Sequence, residues 1–267
     1  MLVWGGARLR DLPWRRTRDP WAVLVSEVML QQTQVDRVVP RWHAFLDAYP
    51  TPVACADAPL GDVLRQWQGL GYPRRARNLH STAVVVRDVH GGRLPDRIDA
   101  LLALPGIGPY TSRAVLAFAF ERDVAVVDTN VARVLARLAG ERLTPGQVQS
   151  LADTLVPSGH GWLWNQSLID LGATLCRRSP DCDGCPLRAM CNWHLDGHAE
   201  PDPAIGSAGV STRQPPFEGS ARQARGRVLR ELGDGPRPGA GLDRAIVESL
   251  VADGLVVEHA DGSVSLP

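Results

Sequence analysis

The chain has 267 residues, 44% of them hydrophobic, with 29 basic side chains balanced by 29 acidic ones. That is enough for one substantial core and a small second domain, and no apolar run approaches membrane-spanning length. Every basic residue among the lysines and arginines is arginine, so no lysine can form a Schiff base with a sugar aldehyde. The N-terminal stretch MLVWGGARLRDLPWRR lacks the apolar centre of a signal peptide, and the sequence predicts a cytoplasmic protein. Charge is uneven: residues 1–194 carry 22 Arg against 18 acids, and residues 195–267 carry 7 against 11. This excess is too small to argue for nucleic acid by itself, so the argument rests on placed residues.

Residues 11–19, DLPWRRTRD, read as an extended arm that enters a helix at Asp19-Pro20, an aspartate cap followed by proline at the first helical position. Within the arm, Trp14 has the plain reading of a core plug. The helix that follows is apolar almost all round through Leu30, and Glu27 is the exception in it. Its helical neighbours Val23, Leu24, Leu30 and Gln31 offer no cation, so desolvation is expected to raise its pKa, as suits a general acid. A carboxylate reaching solvent or a distant arginine is the competing reading.

The helix ends in Gln31-Gln32-Thr33-Gln34, amides able to meet base edges or fill a gap in a base stack. Helices are predicted over 36–48 and 60–68. Gly69-Leu70-Gly71-Tyr72 then opens a turn with an aromatic residue and the arginines 74, 75 and 77, the components of a wedge with phosphate contacts. Helices over 76–90 and 97–103 lead into LPGIGPYT at 104–111. Pro105-Gly106-Ile107-Gly108 cannot continue a helix and Pro109 can start one, which defines a helix-hairpin-helix. Gly106 and Gly108 either make a tight connection or leave backbone N–H groups open to a phosphate. Asp128 precedes apolar residues at 131, 134, 135 and 138, one helical face. It reads as an N-cap, and a capping carboxylate held rigid can also face a cleft.

Four of the five cysteines lie in one segment, Cys176-x5-Cys182-x2-Cys185-x5-Cys191. The spacing marks metal-ligand thiolates and leaves zinc and a [4Fe-4S] cluster both open. Cys55 reads as an inert buried thiol. Residues 195–216, rich in Gly, Pro, Ser and Asp, read as a linker. Helices over 221–232 and 242–252, then two short strands around Asp261-Gly262, suggest a winged-helix-like α+β module over 217–267; no strand pattern is convincing before residue 254. Arg222, Arg225 and Arg230 form a stripe that faces DNA or serves packing.

Taken together, LPWR at 12–15, SEVMLQQTQV at 26–35, GLGY and RARNLH at 69–80, LPGIGPYT at 104–111, VDTNVARVLAR at 127–137 and the cysteine loop resemble the adenine glycosylases of A/G-mismatch repair, the MutY type of the endonuclease III superfamily. The resemblance covers roughly residues 8–194 and implies an all-α, two-lobed helix-hairpin-helix DNA glycosylase. The implied catalytic domain is 1–194, with a six-helix lobe over about 18–124, a cluster lobe from 1–17 and 125–194, and an active-site cleft between them. It implies a [4Fe-4S] cluster on Cys176, Cys182, Cys185 and Cys191. Glu27 is similar to the acid that protonates adenine, Asp128 to the carboxylate that stabilises the oxocarbenium sugar, and Tyr110 and Asn130 to residues bonded around that centre. Tyr110 stands where lyase relatives carry lysine, which implies a monofunctional enzyme.

Gln32 and Tyr72 resemble the residues that enter the base stack, with Gln31 a further DNA- or base-binding residue, Leu12, Trp14 and Arg15 the pocket-side arm, and Gly106 and Gly108 the phosphate-holding hairpin. The implied partner is double-stranded DNA with an A:G or A:8-oxoG mismatch, bound by a nucleoid-associated monomer in base excision repair. The alternatives are a thymine or uracil mismatch glycosylase on the same scaffold and a catalytically silent damage binder. Three departures stand out: the first cysteine gap is five residues where six is usual, Pro73 replaces a frequent second tyrosine, and the Nudix-like reader of 8-oxoguanine is not recognisable.

Overall fold

The computed structural model describes residues 1–207 and 216–267. Its described residues are predominantly helical, with one small sheet near the C-terminus, and form two compact units. One contains residues 1–18 and the described chain from 109 to 207. The other contains 19–108 and 216–267. No helix among the described residues is long and apolar enough to cross a membrane.

The first unit is built on the helices Thr129–Ala139 and Gly161–Thr174. Val131, Val134 and Leu135 from the former meet Leu168 and Leu171 from the latter in one apolar cluster, joined by Leu143, Val148 and Ala152 from the chain that follows. The Asp128 side chain caps the first helix, accepting from Val131 N at 2.7 Å, and Gly140 closes it with a left-handed φ of 76°. The N-terminal arm is fastened by a buried ion pair. Arg15 Nη1 and Nη2 donate to Asp170 Oδ2 and Oδ1 at 2.7 and 2.8 Å, and Arg10 adds its backbone N–H and Nε. Burial pushes the Asp170 carboxyl up, but the Arg15 bonds and charge outweigh it and hold the carboxyl below its ordinary range.

In the second unit, the predicted Asp19-Pro20 start is observed: Asp19 accepts from Trp21 N and Ala22 N, and the helix runs Pro20–Leu30 with residues 21–29 all buried. Trp21 Nε1 donates to the Tyr49 carbonyl and Trp42 Nε1 to that of Ala22, so both indoles enter the core with their polar edge satisfied. The long helix Arg74–His90 begins two residues earlier than its pattern predicted.

The C-terminal module contains the helices Ala221–Gly233 and Arg244–Ala252, capped by Ser220 and Asp243. Its three strands are β1 (Arg237–Pro238), β2 (Val257–Glu258) and β3 (Ser263–Ser265), antiparallel in the order β1-β3-β2. The hairpin β2–β3 was legible; β1 corrects the expectation of no strand before residue 254. Two exposed residues, one of them proline, cannot show an alternating pattern, and β1 owes its place to pairing with Ser263 and Val264.

Of the expected linker, 195–207 is fastened to the first unit: Asp202 pairs with Arg137 at 2.6 Å, and Ser207 Oγ accepts from Leu143 N. The remainder of that expectation, apart from residue 216, lies outside the described residues.

Candidate active site and metal centre

Asp128 is both a cap and the end of a hydrogen-bonded chain. Asn130 Nδ2 donates to Asp128 Oδ2 at 2.8 Å, and Arg133 Nη2 donates to Asn130 Oδ1 at 2.8 Å. The same Arg133 nitrogen reaches the Gly172 carbonyl at 2.7 Å, and Nε reaches the Cys176 carbonyl at 2.7 Å. Because arginine can only donate, Asn130 must present its oxygen to Arg133 and its amide nitrogen to Asp128. A Cβ at position 172 would sit 2.6 Å from Asn130 Cβ, so Gly172 is what lets this polar cluster lie against the neighbouring helix. Desolvation raises the Asp128 pKa above its ordinary value, against the lowering effects of the Val131 and Asn130 bonds and the Arg133 charge. Tyr110, the second residue of the Pro109–Phe118 helix, is partly buried in the same unit.

The second unit carries Glu27, whose residue is 6% exposed on the Pro20–Leu30 helix. It also carries the two turns predicted to meet bases, and Arg75 joins them. Arg75 Nη1 donates to the carbonyls of Val28, Met29 and Gln31, and Nη2 to Thr33 Oγ1 and the carbonyls of Leu70 and Gly71, all at 2.7–3.0 Å. Gln32 and Tyr72, one in each turn, both adopt left-handed backbone, φ 57° and 49°. Non-glycine residues rarely occupy that region, and Arg75 supplies the bonds that hold the surrounding turns.

Gln31, Arg75, Asn78, Pro105, Gly106 and Ile107 line one small pocket, bringing the hairpin and the amide run together within this unit. Gly106 has φ 75°, and a Cβ there would lie 2.6 Å from Asn78 Nδ2, so its glycine is already required by packing. A Cβ at Gly108 would meet nothing within 4 Å, which leaves that backbone open to a ligand. In the first unit, Trp14 is buried, Leu12 is partly buried, and Arg15 directs its fork into Asp170.

All four clustered cysteines line one cavity with Arg137, Arg188, Trp193 and His194. Arg137 Nη1 donates to Cys176 Sγ at 3.4 Å and to the Arg177 carbonyl at 2.6 Å, and Cys191 Sγ donates to the Arg137 carbonyl at 3.3 Å. Nη2 reaches the Arg178 carbonyl, so the backbone of the shortened 177–181 loop is tied to the same guanidinium. Burial pushes the free Cys182, Cys185 and Cys191 thiols up. A bound cation reverses that by favouring thiolates. Ligand atoms of Cys182, His194 and His198 also lie within 4.8 Å of one another, so a Cys/His group able to hold a metal is present. Cys55 is fully buried and its thiol is pushed up to about 12 by desolvation, in keeping with an inert thiol.

Arg75, expected among the phosphate contacts, is instead buried with its guanidinium on backbone carbonyls, and sequence reasoning missed Arg133, Arg137 and the two histidines. Arg133 had a local signal, three residues beyond Asn130 on one helical face. The histidines stood just past the last cysteine, while the partners of Arg75 and Arg137 are distant in sequence.

The helical fold, the glycine hairpin and the capped Asp128 define a helix-hairpin-helix protein of the glycosylase type. Residues 25–158 match the HhH-GPD superfamily base excision DNA repair proteins, and the chain belongs to that family. It is 42% identical over 285 residues to the adenine DNA glycosylase of Mycolicibacterium smegmatis, covering all of this chain and 94% of that protein. Among solved structures, a thermostable thymine-DNA glycosylase superposes with a TM-score of 0.68 at 32% identity, covering 73% of this chain and 93% of its own. A non-covalent endonuclease III–DNA complex gives 0.64 at 26%, covering 74% and 93%.

Proposed function

We propose that the chain is a monofunctional DNA glycosylase that hydrolyses the N-glycosidic bond of adenine mispaired with guanine or 8-oxoguanine. The observation that carries the substrate is the likeness to an adenine DNA glycosylase over the whole chain. Such a reaction needs a proton for the leaving base and a negative group for the developing cationic sugar. Glu27 supplies the proton to the adenine ring. Asp128, held by Val131 N–H and Asn130, supplies the charge, and Tyr110 and Asn130 orient the groups at that centre. With no lysine in the chain, no lysine Schiff base forms and the product is an abasic site in an intact strand.

Double-stranded DNA is the partner of a monomeric, cytoplasmic and nucleoid-associated enzyme. Gln31, Gln32 and Tyr72 meet the base stack during adenine extrusion, Gly106 and Gly108 approach the backbone phosphates, and Leu12, Trp14 and Arg15 form the pocket-side arm, with Arg15 fixing it to Asp170. In domain terms we assign 1–194 to the catalytic domain, 195–216 to a linker and 217–267 to the winged-helix-like module.

Single-turnover incubation of A:G, A:8-oxoG, T:G and U:G duplexes, with alkali added only afterwards, tests the reading. Adenine release with no strand cleavage before alkali is expected. Release of pyrimidines alone would support the thymine or uracil reading, for which the thymine-DNA glycosylase likeness speaks. Binding without any abasic product would make the chain a damage binder.

Cys176, Cys182, Cys185 and Cys191 are the residues we assign to a [4Fe-4S] cluster, since four thiols around one cavity with a buried guanidinium suit an anionic iron–sulfur core. Held by these four cysteines, such a cluster would fasten the loop from 176 to 191. Protein purified in air should be brown, with iron and sulfide on elemental analysis, and Cys185→Ser should weaken DNA binding and stability before it slows base release. Zinc without iron would overturn the assignment.

A further inference from the structure

The C-terminal module has no role in the chemistry above. The module belongs to the same compact unit as the Tyr72 turn and is seated on it at several points. Gly61 N donates to the terminal Pro267 carbonyl at 2.8 Å, Arg65 Nε donates to the Gly233 carbonyl at 2.9 Å, and Arg74 pairs with Asp253 at 2.7 Å. Gly233 packs so closely on Gln68 that a Cβ would lie 2.3 Å from its amide nitrogen. These anchors lie on both sides of residues 69–72.

The three arginines of the predicted stripe separate at this point. Arg225 is taken by Asp253 and Ser249 inside the module, and Arg230 is exposed. Arg222 reaches out of the module and donates through Nη1 to the Tyr72 hydroxyl at 3.1 Å. Its guanidinium lies 5.9 Å from the ring centroid of Phe217, itself 60% exposed. The module carries more acidic than basic residues, so this cation is not part of a general phosphate-binding face.

Resting on the adenine-glycosylase reading above, we propose that Arg222, delivered by the C-terminal module to the tip of Tyr72, is a specificity-determining residue that reads the base opposite the excised adenine. A guanidinium donates and never accepts. On the major-groove edge, guanine and 8-oxoguanine present the O6 carbonyl as an acceptor, whereas cytosine presents its N4 amine as a donor, so on that edge Arg222 favours the first two and meets a donor on the third. Phe217 adds an aromatic face beside the guanidinium, the combination that grips an unstacked base. The M. smegmatis relative is matched over all of this chain, module included, whereas the two solved structures cover about three quarters of it.

The test compares single-turnover adenine release from A:8-oxoG and A:C duplexes at one fixed salt concentration, in the full chain. Arg222→Ala should lower the ratio of the two rates about tenfold or more, and Arg222→Lys, which keeps the charge but loses the fork, should fall between. A parallel measurement with an uncleavable abasic analogue placed opposite 8-oxoG or C should show the same loss in the ratio of affinities, with melting curves confirming that each variant is folded. A ratio within about twofold of the parent in Arg222→Ala, or two rates that fall together, overturns the inference. If the parent chain releases no adenine, the functional reading fails, and the affinity ratio alone decides whether Arg222 reads the opposite base.

Discussion

Asp128→Asn should reduce adenine release by roughly a thousandfold or more, the scale on which preorganised electrostatic groups act, while mismatch affinity changes by less than about threefold. Asparagine is as good an N-cap as aspartate, so its oxygen can still accept from Val131 N. What disappears is the charge facing a sugar that becomes positive only in the transition state, and an interaction confined to that state lowers rate rather than binding.

The substitution is also tolerated by the fold. Because burial raises the folded pKa of Asp128 above its unfolded value, the stabilising contribution belongs to the protonated form. It is fully present below the unfolded pKa and is lost as pH rises through the folded one, so wherever the carboxylate is ionised it is a net cost to folding. Removing that charge offsets the lost bond from Asn130, and unfolding free energy should stay within about 1 kcal/mol of the parent. The same raised pKa places the acid limb of the pH–rate profile above the ordinary aspartate range, and the shift is read directly from the pH dependence of the rate. Normal turnover by Asp128→Asn would reduce the residue to a helix cap.

Local chemistry made part of this structure legible. Asp19-Pro20, the Asp128 cap and the glycine hairpin are each encoded within a few consecutive residues, and the cysteine spacing brings its own four members to one cavity. The unread part consists of arginines whose partners are remote. Arg15 meets Asp170 across 155 residues, Arg137 meets Asp202 across 65, and Arg222 meets Tyr72 across 150. No periodicity reports such a pairing, because the donor and the acceptor are each unexceptional where they stand. Arg75 is the extreme case: all but one of its acceptors are backbone carbonyls, which have no side-chain identity for a sequence to display. Glycine had the opposite problem. Both hairpin glycines looked alike, and only the neighbours distinguish Gly106, crowded by Asn78, from Gly108, which is open.

Arg75→Ala should destabilise the unit containing the two wedge turns by about 3 kcal/mol or more, the cost of leaving several buried carbonyls without donors. The side chain makes six hydrogen bonds from two nitrogens, and they link the end of the Pro20–Leu30 helix to the Leu70–Gly71 turn. Burial brings its pKa down to about 10, still well above neutrality, so the guanidinium works as a cation whose charge is matched by oriented carbonyl dipoles. Its Nε has no hydrogen-bond partner, and some of the gain is therefore already spent on desolvation.

Lysine cannot replace it: one ammonium has three donors at a single point and cannot span both turns. Arg75→Lys is accordingly expected to recover only a minor part of the loss. Since Gln32 and Tyr72 hold left-handed backbone next to these bonds, relaxing the turns should return both residues to ordinary φ values and carry their side chains away from the base stack. Amide hydrogen exchange distinguishes this from a general loss of stability. In Arg75→Ala, protection should drop first across 28–33 and 70–75, with the Thr129–Ala139 helix of the other unit retaining its own. Unchanged melting together with unchanged exchange in those turns would show that Arg75 does not hold them.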